Sequence, residues 1–234
     1  MKFGIVVFPG SSGDSDCFYV IDQVLKEPVE YLWHNDADLK GVDCVILPGG
    51  FSYGDYLRPG AIARFAPIME KVIEFGQKGG LILGIGNGFQ ILTEAGMLPG
   101  ALISNNSLRF QHSNTYLRVE RADTAFTLNY EEEQIIQLPI AHSQGNYVVE
   151  PQILARMEKE KQIIFRYCNA QGETSLEANP NGSVHNIAGI VNERGNILGM
   201  MPHPERCADE ILGGEIGLSI FKSLLDWSQQ GGGR

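Results

Sequence analysis

The segment Pro202-His203-Pro204-Glu205 carries the residue types of an acid/base catalyst. A proline on each side of His203 keeps the chain extended, so the imidazole is held in one orientation. Glu205 follows two residues later, where its carboxylate can fix the tautomer of the ring. A lone histidine is more often structural, but the two prolines and the nearby acid favour a catalytic role for His203.

A glycine-rich segment at residues 79–90, Gly-Gly-Leu-Ile-Leu-Gly-Ile-Gly-Asn-Gly-Phe-Gln, has the pattern of a nucleophile elbow. Its apolar run predicts a buried strand, the next glycines predict a tight turn, and the residues after them predict a helix. An elbow needs small residues two positions before and after its apex, where Gly84 and Gly88 stand. The helix start then directs its N–H groups at the reaction centre. The apex, which in an elbow bears a serine or cysteine nucleophile, is Gly86.

Other interpretations of this segment stay open at this point. Glycines at alternate positions also suit a plain connection between a strand and a helix. A dinucleotide-binding loop is disfavoured, because its fingerprint requires glycine where Phe89 stands and no ribose-binding acid follows on a second strand. The segment alone does not separate the elbow from the plain connection.

Further loops follow other predicted strands. Gly49 and Gly50 come after a buried strand, where their N–H groups can form an oxyanion hole, although a flexible turn is the alternative. Residues 9–16 suit an anion site at a helix start, but a helix-capping turn rich in Ser and Asp is favoured. His142 is a second candidate for a functional residue of the cleft. A role in stabilising its own loop is an equally weighted alternative. The remaining histidines, His34, His112 and His185, are interpreted as structural.

The elements that position these loops alternate between strands and helices in the first part of the chain. This rhythm predicts an α/β fold with an open, mostly parallel sheet, helices on both faces and ligands at the carboxyl ends of the strands. Shorter strands at 114–119 and 134–140 predict a smaller antiparallel region. We expect a single domain over residues 1–234, ending in an unordered tail at 229–234. Strands are predicted at 3–8, 30–33, 44–47, 81–85, 163–167, 187–192 and 197–201, and helices at 14–25, 60–77, 88–95 and 214–228.

Composition excludes several classes of function. The 18 basic and 28 acidic residues give a net charge of -10, which argues against a nucleic-acid partner. No apolar run has the length of a membrane span or of a signal peptide. The four scattered cysteines lack metal-site spacing and indicate free thiols in the cytoplasm.

Three motifs together resemble the class I glutamine amidotransferases, and within them the glutaminase subunits of phosphoribosylformylglycinamidine synthase. The motifs are residues 48–58, 87–92 and 199–206, with the sequences Pro-Gly-Gly-Phe-Ser-Tyr-Gly-Asp-Tyr-Leu-Arg, Asn-Gly-Phe-Gln-Ile-Leu and Gly-Met-Met-Pro-His-Pro-Glu-Arg. The resemblance implies a flavodoxin-like fold and hydrolysis of glutamine to glutamate and ammonia. It also implies a large synthetase subunit that uses ATP and Mg²⁺ to convert formylglycinamide ribonucleotide to its amidine. A small accessory subunit is a further expected partner, and no cofactor or metal is expected in this chain.

The resemblance also implies a role for individual residues. In the family a cysteine at the elbow attacks the side-chain amide, backbone N–H groups hold the oxyanion, and a histidine passes the proton to the departing ammonia. Mapped onto this chain, the catalytic positions are Gly86, His203 and Glu205, the oxyanion hole is Gly50 and Asn87, and the glutamine contacts are Gln90, Phe51, Tyr53 and His142.

Glycine at the nucleophile position predicts a glutaminase-deficient chain. Loss of a nucleophile that works as a unit with its base costs a factor of about 10⁴ to 10⁶ in turnover, and no other cysteine stands at a strand-to-helix apex. The cleft also departs from the family at Ser12-Gly13 and Ser143-Gln144. The alternative hypothesis is a non-enzymatic glutamine-binding or scaffolding subunit that leaves the synthetase to use free ammonia.

Overall fold

A nine-stranded mixed sheet forms the centre of the computed structural model, which describes residues 1–231. Within these residues the strands are β1 (Phe3–Val7), β2 (Val29–Trp33), β3 (Cys44–Leu47), β4 (Leu81–Ile85), β5 (Ala101–Ile103), β6 (Gln111–Val119), β7 (Ile135–His142), β8 (Asn146–Val148), β9 (Ile163–Cys168), β10 (Ile187–Val191) and β11 (Ile197–Met200). The order across the sheet is β2-β1-β3-β4-β11-β10-β9-β6-β7. Strands β5 and β8 form a separate two-stranded antiparallel sheet.

The sheet changes from parallel to antiparallel pairing between β11 and β10. Strands β2, β1, β3, β4 and β11 pair in parallel, whereas β10, β9, β6 and β7 continue the sheet in antiparallel pairs. The predicted α/β fold is confirmed, and most of the antiparallel strands extend the main sheet. Strand pairing across the sheet is non-local, so the pattern within each strand did not reveal that connection.

Helices cover both faces of the sheet, as predicted. They are α1 (Asp14–Tyr19), α2 (Pro67–Gln77), α3 (Asn87–Glu94), α4 (Pro151–Lys159) and α5 (Leu218–Gln229). Apolar residues of α1 and α5 pack on one face of the sheet, and those of α2, α3 and α4 pack on the other. Consecutive residues of β3 alternate between these two cores, as expected for a strand that is buried on both sides.

Several helix boundaries differ from the predicted ones. The predicted helix at 14–25 continues beyond α1 as a π-helical turn over Val20–Val24. The predicted helix at 60–77 begins at Pro67, because proline favours the first helical position, and a short 3₁₀ turn precedes it at Ala63–Phe65. Helix α5 extends to Gln229, so the predicted tail is wrong at that residue, and residues 232–234 lie outside the described part. No helix among the described residues is long and apolar enough to cross a membrane.

Two glycines let helix α3 lie directly against the strands. A Cβ atom at Gly88 would overlap the Leu47 carbonyl oxygen and lie 2.6 Å from the carbonyl carbon. A Cβ at Gly84 would lie 2.5 Å from Leu92 Cδ1 and 2.9 Å from the Gly88 backbone. These approaches confirm the need for small residues on each side of Gly86, and they bring the start of α3 to the ends of β3 and β4.

We expect Gly88→Ala to lower the free energy of unfolding by more than about 3 kcal/mol, because the added methyl group overlaps the Leu47 backbone. This loss would occur although alanine is the better helix former by about 1 kcal/mol. Gly41→Ala is the control, since Gly41 has a φ of +66° and open space around its Cβ position. In Gly41→Ala the free energy of unfolding should fall only by the cost of placing a side chain on a left-handed backbone, about 1–2 kcal/mol. Urea unfolding measures both, and equal losses would contradict the packing argument.

Candidate active site

The apex of the predicted elbow lies at the junction of β4 and α3. Gly86 has φ 52° and ψ −108°, a backbone conformation that strains any residue with a side chain. Its N–H donates to the Met200 carbonyl oxygen at 2.8 Å, which joins the turn to the end of β11. Helix α3 begins at the next residue, Asn87. The local geometry is therefore that of a strand–turn–helix elbow.

His203 reaches the apex because β11 is the sheet neighbour of β4. The register pairs Met200 with Ile85, so the segment that follows β11 runs beside the turn that follows β4. The His203 N–H donates to the Pro139 carbonyl oxygen at 2.8 Å, which fixes the backbone of the histidine. The side chain is 3% exposed. Two neighbouring parallel strands thus deliver the two predicted catalytic positions to one point.

The imidazole of His203 lies between two glycines. A Cβ built on Gly86 would lie 3.2 Å from Nε2 and 3.0 Å from Cε1, and a Cβ built on Gly49 would lie 2.7 Å from Cε1. Nε2 makes no hydrogen bond within the described residues. A side chain at position 86 would therefore start beside a free imidazole nitrogen, which is the relation of a nucleophile to its base.

Glu205 holds the other ring nitrogen. Its Oε1 lies 2.7 Å from His203 Nδ1, and the carboxylate is fully buried. Arg206 Nε lies 3.8 Å from the same oxygen and also contacts Asp16 at 3.3 Å. A buried acid at Nδ1 orients the ring and stabilises an imidazolium, so the pair has the geometry of the base and its orienting acid in a catalytic triad.

The glycine pair Gly49-Gly50 is held in place by the loop at residues 9–16. Gly50 has a φ of +144°, and a Cβ there would lie 2.6 Å from the Gly10 carbonyl oxygen. The N–H groups of Ser12 and Gly13 donate to the Gly49 carbonyl oxygen at 3.1 and 3.0 Å. These two N–H groups are therefore satisfied within the protein and are not available to an anion. The loop at 9–16 supports the glycine pair instead.

The side chain of Asn87 connects three parts of the cleft. Its Oδ1 accepts from the Ser52 N–H at 3.0 Å, and its Nδ2 donates to Gln90 Oε1 at 2.9 Å. Gln90 Nε2 in turn donates to the Gln144 carbonyl oxygen at 2.7 Å. Both side chains are more than nine-tenths buried. This chain of hydrogen bonds fixes the glycine loop and the loop after β7 against the first turn of α3.

His142 lines the cleft, but neighbouring asparagines occupy both of its ring nitrogens. Nδ1 lies 3.2 Å from Asn105 Oδ1, and Nε2 lies 3.4 Å from Asn181 Nδ2. Burial, with a smaller contribution from His203, lowers the pKa of His142 to about 4. These contacts favour the loop-stabilising alternative for this residue.

The two aromatic candidates lie in different places. Phe51 lines the cleft and is half exposed. Tyr53 is absent from the lining, because its hydroxyl lies 2.7 Å from His34 Nδ1 and its ring packs against Phe8. The sequence placed both in one glycine-rich loop without indicating that a left-handed residue at Tyr53, φ 54°, turns its side chain away.

Sequence reasoning did not single out Asp55, which among the described residues is the one carboxylate of the cleft lining. Its carboxylate is half-buried in the lining, and burial raises its pKa to about 6 against the opposing hydrogen bonds from Gly60 and Asn87. Its side-chain type within the motif was visible, but only the fold places it in the cleft lining.

The cleft that these residues enclose is small, with a volume of about 30 Å³. Ligand pockets are commonly several hundred Å³, so the cleft in this conformation is narrower than a typical ligand site. No cysteine lies in the lining, and within residues 1–231 no three His, Cys, Asp or Glu side chains gather as a metal site. The lining is Gly50, Phe51, Asp55, Pro59, Gly86, Asn87, Gln90, Ala141, His142, Ser143, Gln144, Met201 and His203.

Comparison with known proteins agrees with this geometry. The family model of the CobB/CobQ-like glutamine amidotransferase domain matches residues 1–217. Phosphoribosylformylglycinamidine synthase subunit PurQ of Moorella thermoacetica is 58% identical over 231 residues, covering 99% of this chain and 98% of the relative. The chain belongs to the PurQ family of class I glutamine amidotransferases. PurQ proteins are the glutaminase subunits of phosphoribosylformylglycinamidine synthase.

Other relatives support the PurQ assignment. The PurQ subunit of Salinibacter ruber is 54% identical, covering 96% of both chains. A chain in the structure of PurLQS from Thermotoga maritima has a TM-score of 0.86 and 40% identity, covering 97% of this chain and 98% of that one. The glutaminase domain of Trypanosoma brucei CTPS, at 13% identity and a TM-score of 0.61, shares the fold.

We expect Gly86→Cys to lower the free energy of unfolding by about 1–3 kcal/mol, because the new side chain is strained at this backbone conformation and crowds His203. Gly195→Cys is the control, since Gly195 has a φ of +73° with nothing within 4 Å of its Cβ position. It should lose less, because only the backbone cost remains. Thermal unfolding tests the pair, and a melting temperature that rises in Gly86→Cys would argue against strain at the apex.

His142 should make the fold sensitive to acid. Its pKa is about 4 in the folded protein and about 6.5 when unfolded. The contribution of neutral His142 to the free energy of unfolding is therefore complete above about pH 6.5. It is lost as the pH falls through 4, by an amount on the order of 3 kcal/mol. His142→Gln should remove this part of the pH dependence of unfolding, whereas His112→Gln, at an exposed histidine, should leave it. An unchanged slope in His142→Gln would refute the assignment.

Proposed function

We propose that the cleft at Gly86 is a glutamine-hydrolysing site whose chemistry is disabled by the missing nucleophile. The observation that carries this proposal is the position of His203, whose free Nε2 lies 3.2 Å from a Cβ built on Gly86. Behind the ring, Glu205 Oε1 contacts Nδ1 at 2.7 Å. The base and its orienting acid are both present, and the residue at the apex has no group to attack an amide.

The proposed mechanism requires a cysteine at position 86. His203 Nε2 takes the proton of the cysteine thiol. The thiolate then attacks the side-chain amide carbon of glutamine, and the N–H groups of Gly50 and Asn87 stabilise the oxyanion of the tetrahedral intermediate. The imidazolium of His203 gives its Nε2 proton to the departing ammonia, leaving a thioester. His203 then removes a proton from water, and hydrolysis releases glutamate. Glycine at position 86 stops this sequence before its first bond forms.

The proposed glutamine contacts divide into two groups. Gln90 and Phe51 line the cleft and can contact the substrate directly. For His142 and Tyr53, their hydrogen bonds to neighbouring residues favour a supporting role, since Tyr53 contacts His34 and His142 contacts Asn105 and Asn181. All four residues belong to the proposed binding region.

The proposed partners are the other subunits of a synthase. A chain similar to this one occurs in PurLQS from Thermotoga maritima, so we propose assembly with a large synthetase subunit and a small accessory subunit in the cytoplasm. The synthetase uses ATP and Mg²⁺ and converts formylglycinamide ribonucleotide to its amidine with the ammonia. This chain acts as a single amidotransferase domain over residues 1–234, without a cofactor or metal of its own.

Restoring the thiol tests the proposal. We expect Gly86→Cys, assayed with the synthetase partner, to raise glutaminase turnover by a factor of about 10⁴ to 10⁶ over the unmodified chain. Gly86→Ala is the matched control, because it adds the same Cβ without the sulfur and should stay inactive. Substantial turnover by the unmodified chain, or none in Gly86→Cys, would overturn the proposal.

A second candidate is a non-enzymatic glutamine-binding or scaffolding subunit of an ammonia-dependent synthase. The observation in its favour is the tight space at the apex, where a Cβ would come within 3.0 Å of the His203 ring. This candidate predicts complex formation and glutamine binding that Gly86→Cys does not convert into turnover. The same assay therefore distinguishes the two functions.

A further inference from the structure

The carboxylate of Asp55 faces the cleft without a cationic partner among the described residues. No lysine, arginine or histidine nitrogen lies within 4.0 Å of it there, because none of the ion pairs includes Asp55. The basic residue close by in sequence is Arg58, and its guanidinium is held by two hydrogen bonds of 2.7 Å to Glu94. The negative charge in the cleft is therefore not neutralised from this loop.

The polar contacts of Asp55 leave part of the carboxylate unsatisfied. Asn87 Nδ2 lies 3.4 Å from Oδ1, a long hydrogen bond that Asn87 shares with Gln90. The Gly60 N–H is the other donor. An ionised carboxylate can accept about four hydrogen bonds, so these two donors leave it able to accept from a further donor such as an ammonium group. Burial raises its pKa to about 6, which is the direction expected for a charge that lacks a counter-ion.

The location of Asp55 relative to the apex suits a particular ligand. Asp55 and Gly86 line the same cleft, and Asn87, which contacts Asp55, is the residue directly after Gly86. Glutamine carries a reactive amide at one end and an ammonium group at the other. If the amide lies at the apex, the ammonium group needs an anion elsewhere in the lining, and Asp55 is the carboxylate that the lining contains.

We propose that Asp55 binds the α-ammonium group of glutamine and makes the site select amides that carry it. This inference rests on the proposed function, since it assigns a substrate contact within the same cleft. Asp55 is a specificity-determining residue in this assignment, and the chemistry at position 86 does not depend on it. The Asp55 carboxylate, which has no counter-ion among the described residues of the cleft lining, pairs with the cationic ammonium group of the substrate.

The competing role for Asp55 is to hold its own loop. Tyr53, Gly54 and Asp55 all have positive φ values, so the loop needs support, and the Gly60 and Asn87 contacts would supply it. A loop-holding role would affect every ligand of the cleft equally. A contact with the ammonium group would affect only ligands that have one, and this difference decides the experiment.

The test compares L-glutamine with glutaramate, the same amide without the α-amino group, by calorimetry on the full chain. We expect the unmodified chain to bind glutamine at least about tenfold more tightly than glutaramate, the size expected for a hydrogen bond to a charged group. In Asp55→Asn, glutamine affinity should fall to that of glutaramate, and glutaramate affinity should stay unchanged. Asp38→Asn is the matched control, because Asp38 is an exposed loop carboxylate that accepts the Lys40 N–H at 2.8 Å.

A kinetic form of the test uses the Gly86→Cys background with the synthetase. Asp55→Asn there should raise the KM for glutamine about tenfold or more with a smaller change in kcat, and should leave the kinetics with glutaramate as they were. Equal losses for both amides, or a preference for glutamine that persists in Asp55→Asn, would overturn the inference while the glutaminase function stands. Absence of turnover in Gly86→Cys with retained discrimination in binding would overturn the proposed function and leave the Asp55 assignment intact.

Discussion

The absence of side chains where β3, β4, α3 and His203 meet is the constraint on which the site depends. Gly88 lets the first turn of α3 touch the Leu47 backbone, and Gly84 admits Leu92 against β4. Gly49 leaves room for the imidazole of His203. Each added Cβ would push one of these elements away from the others. The site therefore depends on the close approach of these backbone segments. Its functional side chains lie at the edges of that contact.

Electrostatics complete the arrangement around His203. Glu205 is fully buried, and its Oε2 has no hydrogen-bond partner within residues 1–231. An under-satisfied buried acid is costly to stability, so its retention beside Nδ1 is best explained by what it does to the ring. The other histidine of the cleft, His142, is kept neutral by burial. The two imidazoles thus occupy different environments, and the one that faces the apex has the acid.

The sequence predicted the parts of this site that depend on local pattern. The strand–turn–helix at Gly86 and the His203–Glu205 pair follow from glycine spacing and flanking prolines, which act over a few residues. The side-chain directions of Tyr53 and Asp55 were not predictable, because left-handed residues within a short loop decide them. The continuation of the sheet through β10, β9, β6 and β7 also depends on contacts between distant segments. The side chains that a glycine-rich loop directs into the cleft were therefore harder to predict than the position of the loop.

The pairing of β4 with β11 has a further consequence for how this fold tolerates change. The two proposed catalytic positions, Gly86 and His203, follow neighbouring strands whose register pairs Met200 with Ile85, so their separation depends on one ladder of backbone hydrogen bonds. The residues between the end of α3 and the start of β11 include the antiparallel strands and α4, and none of them takes part in that ladder. Two residues of this stretch still contact the site, because the Pro139 carbonyl accepts from the His203 N–H and the Gln144 carbonyl accepts from Gln90. Insertions elsewhere in the stretch, away from residues 139–144, can therefore accumulate without altering the distance between apex and imidazole.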